Sequence, residues 1–244
     1  HPEVLSNLCI ALQQACQWRP LASLLQRLDQ HTRRALSAKK LPAEQPMFNI
    51  RRTMDVALNL SLASACSNEI EKRALRSAHC YKHRLPQCAG RPITLGYLSY
   101  DFRNHPVAHQ LLPLFSLHDR SRFRILAFSL GPDDTSEYRA KIQADCDQFI
   151  EIGHLDYGRA SQLIHESGTN ILIDLMGHSH HNRLQIPALR PAPVQVSYLG
   201  FLSSTGAAFM DYVIADAVVV PSADTKAFSE KLIRLPHCYQ MNHT

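Results

Sequence analysis

From residue 93 onward, short apolar runs return at a steady interval with helix-like stretches between them, and no other feature limits the possible folds of the chain so tightly. The runs are Ile93–Ser99, Phe123–Leu130, Phe149–Ile152, Ile171–Leu175, Val194–Leu199 and Tyr212–Ala215. Their starts fall roughly 20 to 30 residues apart, the length that a strand, a crossover helix and two loops consume before a parallel strand can begin. Ile171-Leu-Ile-Asp-Leu175 is almost continuously apolar, as a strand covered on both faces must be. The spacing predicts an α/β fold with a parallel sheet. In open sheets of this kind ligands bind beyond the carboxyl ends of the strands, which selects three loops for chemistry: Ser99–His109, Met176–Arg183 and Gly200–Gly206.

The first third has a different period. In Val4–Ala15 the residues Leu5, Leu8, Cys9, Leu12 and Ala15 recur at three- and four-residue steps, and Leu21, Leu24, Leu25 and Leu28 do the same after Pro20, where a new helix can begin. A third run, Met54–Ala78, carries Leu58, Leu62 and Ala65 on one stripe, with Pro42 and Pro46 breaking the chain before it. Two or three antiparallel helices are expected, as at the end of a helical repeat array. The punctuated segment Arg84-Leu-Pro-Gln-Cys-Ala-Gly-Arg-Pro92 separates the two rhythms. The expected organisation is thus a helical region over 1–83, a linker over 84–92 and a sheet-bearing lobe over 93–244.

Composition narrows the classes of function. At 45% hydrophobic residues the chain can bury a sizeable core. It has no apolar run long enough for a membrane span and no secretory pattern after His1, so a cytoplasmic protein without a membrane partner is expected. The seven cysteines are odd in number, scattered and without a CxxC pair, which reads as reduced thiols. Residues 1–92 carry 14 Lys and Arg against six Asp and Glu, but the positives lie along helical patterns without interleaved aromatics. That is a solvated helical face and not a nucleic-acid groove.

The loop Ser99-Tyr-Asp-Phe-Arg-Asn-His-Pro-Val-Ala-His109 has neither a GxGxxG fingerprint nor a Walker loop, so no phosphate cradle is expected there. Instead it brings Asp101, Asn104 and His105 to the crevice, with Pro106 suited to the first helical position. At a helix N-terminus the positive end of the dipole keeps the His105 ring neutral, able to accept a proton or to hydrogen-bond a hydroxyl. Asp101 and Asn104 could equally cap that helix. His105 and His109 are four residues apart, and Met176-Gly-His-Ser-His-His181 adds three histidines. No Glu stands between the first pair and no acidic cluster joins the second, so His178, His180 and His181 read as the lining of a polar loop and no metal is expected. In Arg190-Pro-Ala-Pro-Val-Gln-Val-Ser-Tyr-Leu-Gly200, a helix stop leads into a strand and a glycine where backbone can approach a ligand, or where a tight turn needs one.

Several long segments resemble the nucleotide-sugar protein O-glycosyltransferases of the O-GlcNAc transferase family. They are Leu95-Gly-Tyr-Leu-Ser-Tyr-Asp-Phe-Arg-Asn-His-Pro106, Ser129-Leu-Gly-Pro-Asp-Asp134, Arg190–Gly200, Asp211-Tyr-Val-Ile-Ala-Asp216, and Ser229-Glu-Lys231 leading to Leu235-Pro-His-Cys-Tyr239. Cys16-Gln-Trp18 resembles the region that joins the family's tetratricopeptide repeats to its catalytic domain. The chain departs from animal members at Val107, Met47-Phe48 and Leu202-Ser203, which stand where those carry Thr, a His pair and Pro-Gly.

The resemblance implies that residues 93–244 form the Rossmann-like N-lobe of a GT-B glycosyltransferase whose C-terminal lobe holds the nucleotide. It implies inverting, metal-independent transfer of GlcNAc from UDP-GlcNAc to Ser and Thr of acceptor proteins, without a cofactor, this half being inactive alone. His105 is the implied proton acceptor or hydroxyl-positioning group and Asp101 the alternative base or relay. Asn104 and Pro106 line the sugar and acceptor site, and Leu199 and Gly200 lie near the donor sugar. A donor such as GDP-fucose, or a non-enzymatic protein-binding role, are the alternatives.

Overall fold

The computed structural model describes residues 1–83 and 90–241, so residues 84–89 of the expected linker lie outside the described residues. Four helices come first: α1 (Pro2–Gln14), α2 (Trp18–Ser37), α3 (Pro46–Arg52) and α4 (Val56–Ser77). Then follow β1 (Ile93–Ser99), α5 (Pro106–Leu111), α6 (Leu114–Leu117), β2 (Phe123–Ser129), α7 (Glu137–Asp145), β3 (Gln148–Glu151), α8 (Tyr157–Glu166) and β4 (Ile171–Asp174). The chain continues through α9 (Gln185–Ala188), β5 (Val194–Ser197), β6 (Tyr212–Asp216), a 3-10 turn at Ser222–Ala227 and β7 (Lys231–Leu235).

All seven strands pair in parallel, in the order β3-β2-β1-β4-β5-β6-β7. The strand order reverses between β1 and β4, which is where an open α/β sheet leaves a crevice at its carboxyl edge. Side chains alternate across the sheet as the pleat requires. Leu95, Tyr97, Ile125, Ala127, Ile173 and Val196 join Ala108, Leu111, Phe115 and Ile142 on one face. Leu98, Leu126, Phe128 and Leu172 join Ala160, Ile164 and Ile186 on the other.

Three features differ from the sequence expectation. Pro46 does not break the chain before a helix; it opens α3 at the first helical position, where its missing N–H costs nothing. Strand β7 was not expected, because Lys-Leu-Ile-Arg-Leu alternates weakly at the sheet edge, where Lys231 and Arg234 blunt further pairing. Helix α2 also starts at Trp18, so Pro20 sits within its first turn.

Helices α1 to α3 share a small core of Leu5, Cys9, Leu21, Leu28 and Phe48. Beneath it Glu44, with its side chain fully buried, accepts from Thr32 Oγ1 at 2.6 Å, Asn49 Nδ2 at 3.0 Å and Arg52, so its charge is paired. Helix α4 instead faces the sheet-bearing lobe: Ala74 packs with Leu184, Ala188 and Phe209. Ser77 Oγ lies 2.6 Å from the Tyr157 hydroxyl, a second tie between α4 and the lobe.

Candidate active site

The crevice is assembled from the three loops that leave β1, β4 and β5. At the end of β1, Ser99 Oγ accepts the Asp101 amide at 2.9 Å and donates to Met176 Sδ at 3.5 Å, and the Tyr100 amide reaches the same sulfur at 3.3 Å. The β1 and β4 loops are thereby tied to each other across the switch point. At the end of β4, Asp174 is 3% exposed and accepts the Gly177 amide at 2.7 Å, which bends the chain into a left-handed turn at Gly177, φ 51°. Burial pushes the Asp174 carboxyl up to about 6, against the pull of the Gly177 and Met176 amides.

After β5, Gly200 N–H donates to Tyr198 O at 2.9 Å across Leu199, whose φ is 69°. A bond from residue i+2 to i about a left-handed centre is a strained three-residue turn, of a kind that persists only when its surroundings hold it. A Cβ on Gly200 would stand 1.8 Å from Leu175 O, so the glycine is required by the backbone just after β4. Of the two readings open for Gly200, the tight turn is therefore satisfied within the protein. The Leu199 side chain is 7% exposed and lies in the core, leaving only its backbone for the crevice. Next to it lies an apolar hollow of about 280 Å³ lined by Phe201, Val213, Val220, Phe228 and Tyr239. A wider concavity of about 560 Å³ lies between α1, α2 and residues 40–44, away from the strand ends.

His105 is the N-cap of α5, with Pro106 exposed at the first helical position. Neither Asp101 nor Asn104 caps that helix; His105 Nδ1 accepts the Val107 amide itself at 3.3 Å. The ring is 33% exposed and Asp101 Oδ2 lies 3.5 Å from the same Nδ1. Burial holds the imidazole below its ordinary value, helped by Arg103 and His109 and opposed by Asp101, so the ring is neutral at neutral pH. The sequence argues for a neutral ring from the helix dipole; in the structure, loss of solvent supplies a cause that the sequence does not show.

Asn104 is exposed, with its amide held by Asp134 Oδ2 at 2.7 Å and its Oδ1 accepting from His109 Nε2 at 2.8 Å. The His109 ring packs against Tyr138, ring centroids 4.1 Å apart and tilted by 32°. His178 does not line the polar loop; it is 7% exposed, and burial lowers its pKa. His181 is exposed and stacks on Tyr100 at 4.3 Å. Among the described residues no group of three or more His, Cys, Asp or Glu side chains is placed to hold a metal ion.

Residues that local patterns did not single out shape the site from behind. Arg139, 1% exposed, donates to Phe102 O at 3.3 Å and to Ser129 Oγ at 3.2 Å, pinning the loop that carries Asp101 and His105. Glu230 does the same for the loop after β5. Phe102 lies 37 positions from Arg139, and Ser204 and Thr205 lie 26 and 25 from Glu230, separations that no local spacing announces.

A parallel sheet whose strand order reverses at a polar crevice, with histidine and carboxylate on the first strand's loop and no glycine-rich phosphate cradle, defines a Rossmann-like lobe built for group chemistry at strand ends. The family model Glycosyl transferase family 41 matches residues 15–243, and the chain belongs to that family. It is 32% identical over 238 residues to a probable UDP-N-acetylglucosamine–peptide N-acetylglucosaminyltransferase, SEC, of Arabidopsis thaliana, covering 95% of this chain and 24% of that protein. It is also 32% identical over 230 residues to the UDP-N-acetylglucosamine–peptide N-acetylglucosaminyltransferase of Caenorhabditis elegans, covering 92% of this chain and 20% of that one. The chain thus spans about a quarter or less of the length of these relatives. In structure it resembles a Thermobaculum terrenum O-GlcNAc transferase mutant, K341M, with a TM-score of 0.64 at 24% identity over 98% of this chain and 52% of that one. The fold is the GT-B-type α/β lobe that the sequence resemblance implied.

Proposed function

We propose that the chain supplies the acceptor-facing lobe of an inverting protein O-glycosyltransferase that moves GlcNAc from UDP-GlcNAc to Ser and Thr hydroxyls. The observation that carries this reading is a half-buried neutral His105 paired with a buried Asp101 at the strand-order reversal, in a chain of Glycosyl transferase family 41. Two relatives named for peptide N-acetylglucosaminyl transfer support the donor and the acceptor class.

The acceptor oxygen attacks the anomeric carbon while the bond from that carbon to the diphosphate oxygen breaks, and UDP leaves with the bonding pair. The hydroxyl proton passes to His105 Nε2, and Asp101 stabilises the resulting imidazolium through Nδ1–H. Asp101 acting as direct base is the alternative assignment. Asn104, with its carbonyl oxygen tied to His109, offers its Nδ2 group to the sugar, beside Pro106. Leu199 and Gly200 offer backbone to it. The diphosphate is held by a C-terminal partner lobe, whose cationic groups and helix N-termini meet the leaving charge without a metal or other cofactor. Helices α1 to α3 close a tetratricopeptide-like array that presents acceptor proteins, and the enzyme works in the cytoplasm, where its thiols stay reduced.

Thermal unfolding tests the division of labour. UDP-GlcNAc should leave the melting temperature of this chain alone nearly unchanged and raise that of the protein containing both lobes. The two-lobed protein should then glycosylate Ser or Thr peptides with UDP-GlcNAc. Transfer from GDP-fucose alone, or from neither donor, would overturn the assignment.

A further inference from the structure

We infer that Glu230 is a positioning residue for the donor site, holding residues 199–206 in place from below while His178 and Ser67 hold the same segment from the helical side. The inference rests on the transferase reading above and adds to it the groups that fix the sugar-facing backbone.

Glu230 is 5% exposed, and among the described residues no Lys, Arg or His forms an ion pair with it. A buried carboxylate without a cation is costly unless hydrogen-bond donors surround it. Here they do. Oε2 accepts Ser204 Oγ at 2.6 Å and Ser229 Oγ at 3.2 Å, while Oε1 accepts the Thr205 amide at 2.7 Å and the Thr205 hydroxyl. Ser204 Oγ then accepts the Gly206 amide at 3.0 Å and the Ser229 amide at 3.1 Å.

The other side of the same segment is equally occupied. Thr205 O accepts from His178 Nε2 at 2.9 Å and from Ser67 Oγ at 2.7 Å. A carbonyl can only accept, so the His178 proton sits on Nε2. Gly206 has a φ of 62°, and a Cβ there would stand 2.4 Å from the Ser64 backbone nitrogen, so the α4 backbone abuts the loop directly. Every polar group of Thr205 is thereby committed, to Glu230 on one side and to α4 and the β4 loop on the other.

This clamp explains how the strained turn at Leu199 is kept. A turn with φ 69° at a leucine relaxes unless the chain on both sides is fixed. On one side Tyr198 is fixed by β5 and by its amide's bond to Asp174 O at 3.0 Å. On the other side lies the Ser204–Gly206 clamp. Loosening the clamp should therefore move the Leu199 and Gly200 backbone, and with it donor binding, while His105 and Asp101 on the far side of the crevice stay in place.

The test has two parts. In this chain, amide hydrogen exchange at Thr205 and Gly206 should accelerate in Glu230→Gln, while the amides of residues 99–107 keep their rates; unchanged exchange at Thr205 overturns the inference whatever the activity. In the two-lobed enzyme, Glu230→Gln should raise the KM for UDP-GlcNAc about tenfold, the loss expected for hydrogen bonds to a charged group, with Glu230→Ala worse. The acceptor KM and kcat should stay within about threefold of wild type, which a loss of folded enzyme would not produce. Ser67→Ala removes one bond from the opposite side and should raise the donor KM by a smaller factor, a prediction that survives if the Glu230 variants fail to fold. Unchanged donor KM in folded variants overturns the inference. A wild-type enzyme that is inactive with UDP-GlcNAc overturns the transferase reading, and this one with it, and is told apart by the wild-type assay itself.

Discussion

Asp101 Oδ2 lies 3.5 Å from His105 Nδ1, and the Val107 amide lies 3.3 Å from that same nitrogen, so one ring atom faces both a proton acceptor and a proton donor. The two contacts ask for opposite tautomers. The amide favours a bare Nδ1 with the proton on Nε2, a ring that donates into the crevice. The carboxylate favours Nδ1–H and leaves the Nε2 lone pair free to take a proton. A base needs the second form, so the Asp101 charge is what makes His105 basic toward an incoming hydroxyl.

The pH dependence follows from this pair. Burial, aided by Arg103 and His109, holds His105 below its ordinary value, so kcat/KM of the two-lobed enzyme should rise with pH through a midpoint below about 6.5 and then level. Asp101 opposes that depression. In Asp101→Asn the midpoint should therefore move further down, and the plateau should fall because the tautomer is no longer selected. His105→Ala should lower kcat by about 10²- to 10⁴-fold with the fold intact by circular dichroism. An acid limb with the same midpoint in wild type and in Asp101→Asn, or one that persists in His105→Ala, would remove the ring from the proton path.

Asp174 gives a stability test that needs no activity. Its carboxyl titrates at about 6 in the fold because it is buried, against an ordinary value near 3.8. Between those values the unfolded chain has released the proton while the folded chain keeps it, so stability falls as pH rises through that window, by on the order of 3 kcal/mol. Asp174→Asn keeps an acceptor for the Gly177 amide and removes the charge. It should raise the melting temperature at pH 8 and leave it nearly unchanged at pH 4, by calorimetry. A loss of stability at both pH values would show that the charged form is needed.

Gly200→Ala should be far more damaging than its size suggests. The added methyl would meet Leu175 O at 1.8 Å, and the obstacle is backbone just beyond β4, held by the Leu175 amide's bond to Leu98 O at 3.0 Å. We expect a loss of about 2 to 4 kcal/mol in urea unfolding. Gly168→Ala meets no atom within 4 Å and suffers only from its φ of 72°. Its loss should be nearer 1 kcal/mol.

The sequence carried the sheet because a strand covered on both faces leaves a local mark, an apolar run of fixed length, as Ile171–Leu175 shows. The rule that ligands sit at strand ends then placed Asp101, His105 and the 199–206 loop on one rim without any contact being known. Where marks are weak, the reading failed. Lys231–Leu235 sits at an edge with a half-exposed pattern, and Pro46 resembles a breaker as much as a helix opener. The supports of the site were illegible for a different reason. Ser67 and His178 are 111 positions apart, and only the packing of α4 on the lobe brings them within 3.0 Å. His178 reads as a member of a polar loop because it shares the run Met176-Gly-His-Ser-His-His181 with two other histidines; nothing local reveals that its ring turns inward.

Arg139 and Asp134 hold the same loop by different means, and their variants should separate stability from function. Arg139 is buried, with its guanidinium 4.7 Å over the Phe149 ring and its donors on Phe102 O and Ser129 Oγ. Its acidic partners, Asp133 and Glu151, have side chains more than half exposed, so water can receive them when the arginine is gone. The cost of Arg139→Met thus lies in the buried Phe102 carbonyl and Ser129 hydroxyl left without a donor, about 2 to 4 kcal/mol for the two. Lysine cannot repair this, since one ammonium does not reproduce the fork that reaches several acceptors. Asp134 is exposed and accepts the Asn104 amide at 2.7 Å, so Asp134→Ala frees the loop next to His105 while removing nothing from the core. Arg139→Met should lower the melting temperature by roughly 5 to 15 °C and reduce activity as folded enzyme is lost. Asp134→Ala should barely shift the melting temperature yet lower kcat severalfold. If Asp134→Ala keeps full turnover, the Asn104 tether does not set the His105 position.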